Sequence, residues 1–109
     1  MKMTFDEYQK LARRTQNNEL DVYEKQRHAL FGLAAETGEV LGKFQKAMQG
    51  HYLIIEDVSK EIGDVLWMLS ELADTLTLDL GEIAAQNIDK LRKRYPEGFS
   101  AERSVNREA

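Results

Sequence analysis

A chain of 109 residues with 42% hydrophobic and 31% charged residues has the size and balance of a single soluble domain. A net charge of −4 argues against a nucleic-acid-binding surface, and the absence of cysteine excludes a disulfide framework and a thiolate metal site. One proline and seven glycines are too few for a turn-rich all-β fold, the start MKMTFDEYQK lacks the apolar core of a secretion signal, and no apolar run is long enough to span a membrane. The expectation is a cytoplasmic protein that touches neither nucleic acid nor membrane.

Four helices are predicted in chain order, giving an all-α, antiparallel, bundle-like domain over residues 1–109. Thr4-Phe5-Asp6-Glu7 reads as a capping box that opens a short helix to about residue 16. The polar cluster TQNNELD breaks it. A long helix follows from the low twenties, with no obvious cap at its start, to about Met48, with Leu30, Leu33, Val40, Phe44 and Ala47 on its apolar seam. Gly50 and His51 mark a turn. The third helix, 55–77, carries the seam Ile55, Val58, Ile62, Val65, Leu69, Leu72 and Leu76. Asp79-Leu80-Gly81-Glu82 reads as a second capping box, opening a fourth helix that Pro96 ends. The polar tail EGFSAERSVNREA is expected to be extended, with Phe99 and Val105 as its only anchors. Short loops make neighbouring helices antiparallel.

Two stretches carry the chemistry: ETGEVL at 36–41 and EIGDVL at 61–66. Glu36 and Glu39, and likewise Glu61 and Asp64, are spaced i, i+3, so each pair shares a helix face. Each acid sits one residue before a seam position, beside the core rather than opposite it. The midpoint between the pairs is Gly50, so in a hairpin folded there both stand roughly 18 Å from the turn at 1.5 Å per residue. A single Glu-x-x-Glu usually coats a surface. Two in equivalent phase, mirrored about a turn, instead place four carboxylates face to face, which a hard divalent cation held through oxygen relieves: Mg²⁺, with Mn²⁺ as substitute. Gly38, Gly42 and Gly63 form small stripes where backbones or a ligand approach.

The spacing Glu36-x-x-Glu39 followed by Glu61-x-x-Asp64, within GLAAETGEV and KEIGDVLWML and ahead of NIDKLRKRYPEGF, resembles the MazG-type nucleotide pyrophosphohydrolases of the all-α NTP pyrophosphatase superfamily. The likeness covers roughly residues 25–100. It implies Mg²⁺-dependent hydrolysis of a nucleoside triphosphate, ordinary or modified, to monophosphate and pyrophosphate, with Glu36, Glu39, Glu61 and Asp64 as metal ligands and catalytic carboxylates. It further implies that Asn87 and Lys90 on the fourth helix face the nucleotide. Arg94 shares that face at i+4 from Lys90 and suits phosphate oxygens. Lys43 and Lys46 continue the acid stripe towards phosphates, although exposed charges at these positions are equally ordinary. His28 aligns with Gly32 and Glu36 as a candidate lining of the pocket, and Trp67 is a core or interface residue before it is a base-stacking one. Apolar residues spread over three helices predict a homodimer or homotetramer, and the family resemblance implies a pocket at or near the interface. The alternative is a non-catalytic metal- or partner-binding bundle. A di-iron bundle is disfavoured, because neither His28 nor His51 has an acid three residues before it.

Overall fold

The computed structural model describes residues 2–107. It contains five helices: α1 Phe5–Arg13, α2 Val22–Met48, α3 Ile55–Thr75, α4 Leu80–Arg94 and α5 Ala101–Val105. No β-strand occurs among the described residues, and no helix there is long and apolar enough to cross a membrane. The all-α reading holds, with two changes at the ends. The first helix stops at Arg13, where the polar cluster begins. The tail is not extended throughout: Ser100 accepts from the Arg103 backbone N–H and starts the short helix α5. Phe99 and Val105 are exposed and anchor nothing in the core, although Phe99 tilts against Tyr95 with ring centroids 5.5 Å apart.

The caps show what a local pattern can and cannot say. Thr4 and Glu7 form the expected capping box on α1. Helix α2 has one as well, built from Asp21 and Glu24, within a polar stretch that gave no clear starting point. The Asp79/Glu82 pair forms none. Instead, the first amides of α4 are capped from a distant helix: Leu80 N–H donates to Gln9 Oε1 at 2.7 Å and Gly81 N–H to Asp6 Oδ1 at 3.2 Å. Gly81 permits that approach, since a Cβ there would meet Asp6 Oδ1 at 2.8 Å.

The α2–α3 hairpin is the body of the molecule, and its turn is a Schellman motif. Gly50 N–H reaches Ala47 C=O and His51 N–H reaches Lys46 C=O, both at 3.1 Å, with Gly50 at φ 98°. The end of α3 repeats the pattern with Thr77 at φ 55°, a position where a β-branched residue is strained by about 1–2 kcal/mol. Leu78 N–H bonds back to Ala73 C=O at 2.9 Å and closes that turn.

Helix α1 rests on α3 and α4. Its Gln9, only 2% exposed, spends its whole amide there: Nε2 donates to Asp74 Oδ1 and to Leu78 C=O while Oε1 caps Leu80. Asp74 also accepts from Arg13 at 2.8 Å and Gln16 at 2.6 Å. Burial raises the Asp74 pKa, but these donors and the Arg13 charge outweigh it and hold the carboxyl below its ordinary value.

The apolar seams do not all turn inward. Val58 is buried and Val65 and Leu72 are half-buried, yet Ile55, Ile62, Leu69 and Leu76 are exposed, as are Leu30 and Phe44 on α2. What α3 buries on its other side is Ser70, Glu71 and Ala73. Helix α4 packs on α1 and has no comparable face on α2 or α3. Gln9→Ala leaves the Leu80 N–H and Leu78 C=O without their buried partners. The expected cost is about 2–4 kcal/mol of unfolding free energy in urea melts. A loss below 0.5 kcal/mol, roughly the size of an ordinary surface change, contradicts the hub role.

Candidate functional site

Helices α2 and α3 lie side by side from the Gly50 turn, and three of the four expected acids come together across the hairpin. Glu36, Glu61 and Asp64 each offer one carboxylate oxygen, and these oxygens all lie within 4.8 Å of one another. Glu36 and Glu61 are half-buried and Asp64 is exposed. Glu39, one turn on along α2, is exposed and outside this trio, but its charge reaches it. The Glu36 pKa is raised, first by burial and then by the charges of Asp64, Glu61 and Glu39. No cation of the chain pairs with any of the four acids among the described residues. This cluster is electrostatically frustrated, with three carboxylate oxygens able to converge on one hard cation.

The other expected features divide. Gly38, Gly42 and Gly63 mark open space: a Cβ at any of them would meet nothing within 4 Å, so no helix backbone closes on that stripe. The close approach lies at Gly32, where a Cβ would collide with Met68 Sδ; the thioether occupies the place of a side chain. Lys43 is half-buried on α2, and Lys46 is exposed beyond it. His28 is bonded through Nδ1 to Glu71 Oε1 at 2.6 Å. Trp67 is half-buried, stands edge-on to His28 with centroids 6.2 Å apart, and donates from Nε1 to Thr15 Oγ1 at 2.8 Å.

Asn87, Lys90 and Arg94 occupy a separate part of the chain. Asn87 and Lys90 are exposed on α4, and Arg94 is half-buried with its Nε unpartnered. Lys90 and Arg94 line an open cleft of about 890 Å³ between α4 and α5, together with Lys93, Arg103 and Arg107. No hydrogen bond or ion pair among the described residues joins this basic face to the acids. Two neighbours of the site escaped the sequence reading. Tyr8 of α1 has its phenol pKa raised by burial and by the charge of Asp64. Glu71 looks like one more acid on an acidic helix, and nothing local to it announces that it is buried.

The profile of the MazG nucleotide pyrophosphohydrolase domain matches residues 24–99, which include all four acids and Asn87, Lys90 and Arg94. The chain belongs to this MazG family. A related sequence, the gene 37 protein of Mycobacterium phage L5, is 30% identical over 76 residues, 65% of this chain and 67% of the phage protein. No solved structure matches. The MazG segment begins inside α2 and ends before α5, so α1 and the tail helix lie outside it.

Frustration at the trio has a sign that can be checked. A carboxyl whose folded pKa is raised stabilises the fold below its unfolded pKa and loses that contribution as pH rises through the folded value. At neutral pH the metal-free protein is therefore held back by Glu36. Glu36→Gln is expected to raise the neutral-pH melting temperature measured in EDTA, with the difference shrinking towards pH 4. A lowered melting temperature in EDTA at neutral pH contradicts this account.

Proposed function

We propose that the chain is a Mg²⁺-dependent nucleoside triphosphate pyrophosphohydrolase that releases pyrophosphate and a nucleoside monophosphate. The observation that carries this reading is the unpaired trio Glu36, Glu61 and Asp64 inside a MazG domain. All-oxygen, carboxylate-rich donors suit Mg²⁺, with Mn²⁺ as substitute, and Glu39 completes the ligand set from the adjacent turn. When bound, the cation supplies charge neutralisation for the phosphates and a more acidic water. The chain's own part is to hold the carboxylates in a fixed cradle between two helices.

Phosphate oxygens need cations, and the candidates are Lys43 on the hairpin and Asn87, Lys90 and Arg94 on α4. Helix α4 has no extensive packing onto the hairpin of its own chain. We place it at the cradle of a second copy, which makes the active pocket an interface property. The surface supports association. The chain exposes 8682 Å², against about 6,200 Å² for a compact monomer of 12.5 kDa. Its radius of gyration is 17.1 Å, against about 13 Å for a compact domain of this length. The excess, about 2,500 Å², is on the scale of an obligate interface. Exposed Phe31, Leu41, Ile55, Ile62 and Ile88 supply its apolar part. Sedimentation at micromolar concentration is expected to give a dimer or tetramer; a monodisperse monomer rejects the shared pocket.

The deciding assay is pyrophosphate release from ordinary and modified nucleoside triphosphates, with Mg²⁺ and with EDTA. Metal-dependent release is expected, and it is expected to vanish in Glu61→Gln and Asp64→Asn while far-ultraviolet circular dichroism stays unchanged. Turnover retained in both variants removes these residues from the site. Metal binding without turnover on any nucleotide replaces the enzyme with a metal-binding bundle.

A further inference from the structure

The hairpin carries a second, different set of polar groups beyond the acids, ordered like the rungs of a ladder. Glu36 meets Glu61 and Asp64 at the first rung, Gly32 meets Met68 at the second, and His28 meets Glu71 at the third. Each rung is about 6 Å from the next at 1.5 Å per residue, so the third stands about 12 Å from the acids.

The third rung holds an expensive group. Glu71 is 1% exposed; its Oε1 takes the His28 contact, while Oε2 is buried with no partner. Burying a carboxylate with half its acceptors unmet is unfavourable, and nothing about an exposed histidine requires it. The result is a fixed ring. Nδ1 is committed to Glu71, the indole of Trp67 stands edge-on beside the ring, and Thr15 holds that indole. The His28 side chain remains 48% exposed, so the nitrogen left to serve a ligand is Nε2.

Direction along the hairpin follows from charge. Beyond the acids towards the Gly50 turn lie Lys43 and Lys46, which suit phosphates; in the other direction lie a bare Gly32 floor covered by the deformable Met68 thioether, and then His28. We infer that Glu71 is a positioning residue that sets His28 Nε2 to hydrogen-bond the nucleoside end, sugar or base, of a substrate whose phosphates lie at the acid cradle. This rests on the nucleotide reading above and adds to it the point that tells a nucleotide from a bare polyphosphate.

The test is calorimetric binding of α,β-methylene nucleoside triphosphates and of inorganic tripolyphosphate, each with Mg²⁺, to the full chain. Wild type is expected to bind the nucleotides more tightly than tripolyphosphate. His28→Ala should lose about five- to tenfold in nucleotide affinity, the worth of one hydrogen bond, with tripolyphosphate affinity unchanged. Glu71→Ala should lose as much, while Glu71→Gln, which keeps an acceptor for Nδ1–H, should recover most of it. Ribose and deoxyribose analogues and base-swapped analogues then separate sugar from base: the feature read is the one whose removal has no further effect in His28→Ala. Equal losses for nucleotide and tripolyphosphate overturn the inference, as does unchanged nucleotide binding in His28→Ala. Neither result touches pyrophosphate release by wild type, which judges the underlying function separately. His28 is half exposed, so His28→Ala decides the matter even where Glu71→Ala does not fold.

Discussion

The register of the α2–α3 hairpin governs the rest of the molecule. Gly50, at a positive φ that other residues adopt only under strain, reverses the chain in a turn whose two hydrogen bonds leave no slack. From that point each residue of α2 has a fixed counterpart on α3. Glu36 meets Glu61 and Asp64, Gly32 comes under Met68, and His28 reaches Glu71. A slip of one helical position rotates each side chain by about 100° and disperses all three rungs together. The site is thus a property of the turn as much as of the acids.

Holding like charges together costs stability, and the fold recovers it elsewhere. The firmest polar packing is gathered far along α3 from the acid trio, where Gln9, Arg13 and Gln16 converge on Asp74 and the first amides of α4 are capped by α1. Helix α1 therefore acts as a clasp. It is outside the MazG segment, yet it closes the α3–α4 turn and brings Tyr8 within the field of Asp64, while Thr15 in the turn just after it steadies Trp67. A strained Thr77 in the same turn is held by these contacts.

Buried apolar residues are few among those described, Ala29, Val58, Ala73 and Leu80, and large apolar ones remain in view on every long helix. A chain this extended gains too little burial alone to offset its conformational entropy comfortably. The association proposed above would supply both missing parts in one step: cover for the exposed seams, and a basic α4 for acids that pair with no cation among the described residues.

Much of this was written locally. Helix positions, the turn at Gly50 and the facing acid pairs follow from periodicity, glycine and spacing, because a helix converts sequence interval directly into face and height. The likeness of NIDKLRKRYPEGF to MazG proteins was equally legible. Other features depend on partners remote in sequence and had no local signature. The cap of α4 comes from Gln9 and Asp6, more than 70 positions away, so Asp79 and Glu82 gave the right boundary for the wrong reason. Half of the α3 seam turned outward because α2 packs against the neighbouring face, where Glu61, Asp64, Met68 and Glu71 meet it. The glycines beside the acids proved open, while Gly32 proved covered. Glu71 is the sharpest case: by type and spacing it belongs on a solvated surface, and only the meeting of α2 with α3 buries it against His28. The sequence by itself determined which residues share a face and at what height; the tertiary structure decided which faces meet, because burial is set by the neighbour and not by the residue.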